Sequence, residues 1–166
     1  MRFQFTPSTR GAGYRIPHLG VPAATDDAQR GAAGRLAEVQ VLLVDDSPAK
    51  RLWACSLLGR LGVEPTVASG GAQAVRLFQA CAFDVVLMDL LMPDVDGWEA
   101  TAQIRQVELA RATPHPVPVI AFTTSVAAAR HPKTLVCGVN EVLRKPCSAD
   151  ALGDCIERWC RAEPGH

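Results

Sequence analysis

From Val39 onward the chain alternates between two textures. Short apolar runs rich in valine are followed by longer stretches in which apolar residues recur every three or four positions. The short runs "VQVLLVDD", "VEPTVAS", "FDVVLMD", "VPVIAFT" and "NEVLR" predict strands. The first and third are continuously apolar, as strands buried on both faces are. "VEPTVAS" is expected at an edge, because Pro65 has no N–H to give to a ladder. Between and after the strands, "SPAKRLWACSLLGRLG", "GAQAVRLFQAC", "GWEATAQIRQVELARA", "AAARHPKTLVCG" and "SADALGDCIERWCR" predict helices. In the first of these, Ser47 is the expected N-cap, Pro48 the first helical residue and Gly62 the stop. Leu52, Cys55, Leu58 and Leu61 form its apolar row at three-residue steps. Pro132 falls inside the fourth helix, where it removes a backbone donor and predicts a shortened or kinked element.

Strand and helix alternating five times predict an α/β fold, a doubly wound parallel sheet covered on both faces with right-handed crossovers. One domain is expected over residues 37–162, with a short tail at 163–166. Residues 1–36 show no apolar period and read as a flexible N-terminal extension. That segment is mildly basic, with Arg2, Arg10, Arg15, Arg30 and Arg35 against Asp26 and Asp27. A weak contact with an anionic surface is the sharper reading of it, and a plain disordered extension the preferred one. Its "GAGYRIPHLG" holds a Gly-x-Gly, but no strand precedes it, so it is not a dinucleotide loop.

Composition narrows the class of function. Of the 166 residues 48% are hydrophobic and 20% charged, as in a globular protein. Basic and acidic residues number 17 each, so no net field draws the chain to nucleic acid or membrane, and neither is expected as a direct partner. No apolar run approaches the roughly 20 residues that span a bilayer, and the N-terminus lacks a secretory apolar core, so a cytoplasmic protein is expected. The six cysteines form no C-x-x-C pair and have no histidine at zinc spacing. They read as small buried apolar residues. Lysine occurs only at 50, 133 and 145, and every other basic residue is arginine.

The polar residues that stand out fall at strand ends. Asp45 and Asp46 close the first strand, Asp89 the third and Thr123 the fourth, and Lys145 follows the fifth. In an open parallel sheet ligands bind beyond the carboxyl ends of the strands. Taken singly, an Asp at a strand end is often a turn former, and Thr123, with Thr124 and Ser125 beside it, resembles ordinary loop chemistry. Together they describe a pocket. Three acids held close repel, and a divalent cation relieves that; Mg²⁺ accepts one or two carboxylates and keeps several waters. Lys145 offers a compact charge and Thr123 a hydroxyl. Positioning plus charge neutralisation is what phosphoryl transfer requires, and a carboxylate is a competent acceptor. The use of lysine at 145, beside Arg144 in an arginine-rich chain, favours a point charge for one phosphoryl oxygen over a guanidinium fork.

"LLVDDSP", "VVLMDLLMPDVDGWEA", "VIAFTT" and "LRKP" together resemble the receiver domain of bacterial response regulators, over about Val39 to Arg161. The resemblance implies a flavodoxin-like five-stranded sheet of order 2-1-3-4-5, with the first and third strands about 4.8 Å apart. It assigns Asp89 as phosphoacceptor, and Asp45 and Asp46 as the acidic pair, with Asp46 the direct Mg²⁺ ligand. The backbone carbonyl of Leu91 is a further metal ligand, Thr123 the switch hydroxyl, and Lys145 the family's lysine, followed by a typically cis proline. The "MDLLMPDVDGWEAT" texture is most similar to receivers of hybrid histidine kinases.

The implied function is a phosphoacceptor in a two-component or phosphorelay pathway. The phosphoryl group would come from a phosphohistidine on a histidine kinase or a histidine phosphotransfer protein. The signal would leave through altered binding of a downstream protein, since no output segment is recognisable and a stand-alone receiver is expected. Catalysis would be limited to self-phosphorylation and autodephosphorylation. Val142 stands where the family usually has an aromatic residue, and valine cannot make the same inward flip. With Pro132, it motivates a rival reading as a phosphorylation-independent adaptor. A second rival, a Mg²⁺-dependent phosphatase, is suggested by the D-x-D of Asp94 and Asp96. That motif lies several residues past the strand end and lacks the usual context. An EF-hand would need further acids and a closing Glu. Asp96 and Gly97 read as turn and helix-entry residues.

Overall fold

The computed structural model describes residues 36–160. The expectations for the basic leading segment and for the closing tail fall on residues 1–35 and 161–166, outside the described part. Strands and helices alternate as β1 (Val41–Val44), α1 (Pro48–Arg60), β2 (Thr66–Ala68), α2 (Gly71–Ala80), β3 (Val85–Met88), α3 (Gly97–Ala110), β4 (Val119–Thr123), α4 (Val126–Ala129), α5 (Pro132–Val136), β5 (Glu141–Arg144) and α6 (Ala149–Cys160). The strands form one parallel sheet of order β2-β1-β3-β4-β5. β2 is an edge strand, as expected, and Pro65 lies just before it, outside the ladder.

Successive side chains of a strand point to opposite faces, and this divides the core in two. Val41, Leu43, Val85, Leu87, Ile120 and Phe122 face one way and pack under α1 and α6. Leu42, Val44, Val86, Met88 and Val119 face the other way and pack under α2 and α3. Every residue of β1, β3 and β4 is buried, which is why those runs carry no polar alternation. Leu36, placed by its texture at the end of the leading segment, is 2% exposed and belongs to the first of these layers.

Ser47 caps α1, its hydroxyl accepting from the Lys50 N–H at 3.4 Å, with Pro48 in the first turn. The helix buries Ala54, Leu57 and Leu58, and Leu61 follows into the core. Leu52, expected on that row, is 65% exposed. Each three-residue step falls about 60° short of a full turn, so Leu52 and Leu61 lie on opposite sides of the helix. Pro132 does more than kink the fourth helix: it divides it into α4 and α5. His131 caps the second piece, its Nδ1 accepting from the Lys133 N–H at 3.1 Å. Pro132 then occupies the first turn, where a missing N–H leaves no helical bond unmade. All six cysteines are free thiols; Cys155 is buried and the other five are half-buried.

Candidate functional site

The ladder continues one residue past β1 and β3. The Asp45 N–H donates to the Ala68 carbonyl at 3.2 Å, and the Asp89 N–H to the Val44 carbonyl at 2.9 Å. Val44 pairs with Met88, so the two acids emerge side by side. Asp45, Asp46 and Asp89 each place a carboxylate oxygen within 4.8 Å of the others. Thr123 closes β4 and is buried, and its carbonyl accepts from the Lys145 N–H at 2.9 Å. Thr123 Oγ1 accepts from the Ser125 N–H at 3.2 Å. Lys145 thus reaches the acids from the far side of the pocket, and its bond to Pro146 is cis.

Asp45 is fully engaged: Oδ2 is bonded by the Lys145 ammonium, and Oδ1 accepts from the Ser47 N–H at 2.8 Å. Lys145 is only 4% exposed. It lies 4.6 Å from the centroid of the Phe122 ring, whose negative face suits an ammonium, and Trp53 stacks on that ring at 5.9 Å. Asp89 is in the opposite condition. It is 1% exposed, and neither of its buried carboxylate oxygens accepts a hydrogen bond. Lys145 stands 4.0 Å and Lys50 3.5 Å from Asp89 Oδ2. Buried acceptors without donors are costly, and a hard cation with oxygen ligands satisfies them. The residues present therefore fit a Mg²⁺ ion. Asp46 is half-buried at the rim, and Leu91 lies in the loop after β3 and is 51% exposed.

The loop into α3 is shaped by close packing. A Cβ on Gly97 would stand 2.1 Å from the Asp89 carbonyl oxygen and 2.7 Å from Leu90 Cα, so only glycine fits there. The Gly97 N–H donates to the Leu90 carbonyl at 3.0 Å. Asp96 is the N-cap of α3 and accepts from the Glu99 N–H at 2.8 Å. Asp94 adopts a φ of 63°, a left-handed conformation that Asp tolerates. Both acids of the D-x-D are thus loop and cap residues, and neither joins the acids that converge.

Two contributors next to the acidic pair lacked an assignment in the sequence reading. Arg51 Nη1 donates to the carbonyls of Asp45 and Asp46, at 2.7 and 2.9 Å, and pins the acidic loop. Lys50 reaches Asp89. The scarcity of lysine that singled out Lys145 applied equally to Lys50; nothing in the sequence separates Arg51 from the other arginines. A third contributor is Trp98. Val142 is half-buried beside Leu90, Ala121 and Ala128, and Trp98 packs on the same cluster from α3. The Trp98 indole N–H donates to Thr134 Oγ1 at 2.9 Å, and that hydroxyl donates to the Ala128 carbonyl at 2.9 Å.

Residues 41–157 match a family model described as a response regulator receiver domain. A curated relative, the sensor protein GacS of Pseudomonas syringae pv. syringae, is 38% identical over 120 residues, covering 72% of this chain but only 13% of that protein. The receiver domain of sensor histidine kinase PA1611 from Pseudomonas aeruginosa, solved with a magnesium ion coordinated in its active-site cleft, is 33% identical. It matches with a TM-score of 0.66, over 75% of this chain and 98% of that one. A similar match comes from the co-crystal structure of the Saccharomyces cerevisiae phosphotransfer protein Ypd1 with the receiver domain of its downstream response regulator Ssk1. There the identity is 29% and the TM-score 0.66, over 74% of this chain and 89% of that one.

Proposed function

Because the chain belongs to the response regulator receiver domain family, we propose that it accepts a phosphoryl group on Asp89 from a phosphohistidine and signals by changing its affinity for a protein partner. The donor is a histidine kinase or a histidine phosphotransfer protein, as the pairing of the Ssk1 receiver with Ypd1 suggests. One observation carries the reading: Asp89 is buried, its carboxylate oxygens accept no hydrogen bond, and two ammonium groups face it.

In the transfer, an Asp89 carboxylate oxygen attacks phosphorus, the new P–O bond forms, and the P–N bond to the donor imidazole breaks. Asp46, Asp89 and the Leu91 carbonyl would hold Mg²⁺, since Asp45 is already committed to Lys145 and the Ser47 N–H. The bound ion supplies charge neutralisation at the phosphoryl oxygens. Lys145 compensates a further oxygen, and the Thr123 hydroxyl turns toward the group and donates to it. Its own bond with the Ser125 N–H links that movement to α4. Catalysis by the chain itself ends at hydrolysis of its own acyl phosphate.

We take the receiver to span 37–162, and Leu36 packs at its edge. Among the described residues no helix is long and apolar enough to cross a membrane, and we place the domain in the cytoplasm. Incubation with acetyl phosphate and Mg²⁺ followed by intact mass measurement tests the reading. Wild type gains the mass of one phosphoryl group, and Asp89→Asn gains none. An unchanged wild-type mass would favour the phosphate-independent adaptor that Val142 suggested.

A further inference from the structure

Two of the chain's three lysines converge on one carboxylate. Lys145 is buried and bonded to Asp45, whereas Lys50 has 38% of its side chain exposed and is the nearer of the two to Asp89 Oδ2, at 3.5 Å against 4.0 Å. Lys50 sits in the first turn of α1, which holds no acidic residue. A cation there opposes the helix dipole, so helix stability does not account for it. Its ion pair with Asp89 does.

We propose that Lys50 is a second cationic contact of the acceptor, one that opposes Mg²⁺ loading of the resting site and favours the phosphoryl-bearing state. The proposal rests on reading Asp89 as the phosphoacceptor. The charges carry the argument. Three carboxylates against Lys145 alone leave two negative charges, which one divalent ion cancels. Lys50 at Asp89 Oδ2 and the Arg51 guanidinium on the Asp45 and Asp46 carbonyls each add a positive charge, so the same ion leaves the loaded site positive. Converting the Asp89 carboxylate to an acyl phosphate adds about one further negative charge and offsets part of that excess. Lys50 therefore competes with the metal before transfer and compensates the phosphoryl group after it. Its flexible four-carbon stem allows the ammonium to move between the carboxylate and the added oxygens.

Calorimetric titration of the full chain with Mg²⁺, and then with beryllofluoride at saturating Mg²⁺ as a phosphoryl mimic, tests this on wild type, Lys50→Met and Lys50→Arg. Lys50→Met should bind Mg²⁺ about three- to tenfold more tightly and beryllofluoride more weakly by a similar factor, the size being limited by the solvent exposure of Lys50. Lys50→Arg should stay near wild type in both, since the charge is kept. If either affinity of Lys50→Met is unchanged or moves the other way, or if Lys50→Arg behaves like Lys50→Met, the proposal is overturned. Absence of Mg²⁺ binding in all three proteins would overturn the metal site itself, and this inference with it.

Discussion

Lys145 and Asp45, a hundred residues apart in sequence, form an ion pair buried on both sides at the rim of the sheet. The pair joins the loop after β1 to the end of β5 and closes the pocket around Asp89. Deleting one partner of a buried pair leaves an uncompensated charge, which costs about 3 kcal/mol or more. Lys145→Met should therefore lower the unfolding free energy by about 3 kcal/mol in metal-free buffer. Saturating Mg²⁺ should recover part of that loss, because the ion supplies positive charge to the same acids. Urea denaturation with and without Mg²⁺ measures both quantities; equal losses in the two buffers would mean that Lys145 and the metal do not share a site.

Gly97 determines how closely α3 approaches Asp89. Gly97→Ala places a methyl group 2.1 Å from the Asp89 carbonyl oxygen, against backbone that has no rotamer to yield. Separation of α3 from β3 should cost about 3 kcal/mol and move Asp89 out of register with Asp46. A thermal melt shows the first effect and a weaker Mg²⁺ affinity the second. A melt within a degree or so of wild type would mean that this contact relaxes freely.

The Trp98–Thr134–Ala128 chain links α3, α5 and α4 across the cluster that contains Val142. An aromatic ring therefore does pack in this region, supplied by α3 instead of β5. Thr134→Val keeps the shape of the buried side chain but leaves the indole N–H and the Ala128 carbonyl without this partner. The expected cost is about 1–2 kcal/mol. Chemical denaturation reads it directly, and no change would show that water replaces the hydroxyl on both sides.

The thiols predict a pH dependence. Burial, with the negative charge of Glu141 adding to it, pushes Cys155 up from 9.0 to about 11. Burial, with Asp84 adding, pushes Cys160 up to about 11. The folded state holds these protons where the unfolded chain has released them, so stability falls as pH rises through the interval from 9 to 11. Below pH 9 these groups contribute no slope. Urea midpoints taken from pH 8 to 11 should decline only in the upper part of that range, and iodoacetamide should modify Cys155 far more slowly in the folded protein than in urea. A flat profile from 9 to 11 would contradict the assignment.

How much of this was legible in the sequence follows from what each residue depends on. β1 and β3 were readable because a strand buried on both faces must be apolar throughout, and their terminal acids were readable because the carboxyl ends of a parallel sheet share one rim. Ser47 and Asp96 were readable as caps or helix-entry residues because that chemistry is local. The face of α1 was misread at Leu52, since a three-residue spacing drifts around a helix and only packing against β1 and α6 selects the buried side. Whether Pro132 would kink a helix or start a new one depended on His131 supplying a cap. Lys50 reaches Asp89 across elements, and Arg51 turns back onto the loop before its own helix, contacts that no periodicity records. Leu36 belongs to the core because of its neighbours in space, not in sequence.

The central claim is that Asp89 becomes an acyl phosphate, and chemical trapping of that bond tests it most directly. Borohydride reduces an acyl phosphate to an alcohol, converting a modified aspartate to homoserine. After exposure to acetyl phosphate and Mg²⁺, reduction and peptide mapping should place homoserine at position 89 and at no other aspartate, with none when Mg²⁺ is chelated. Homoserine at Asp45, Asp46, Asp94 or Asp96 instead, or no homoserine under phosphorylating conditions, would contradict the account.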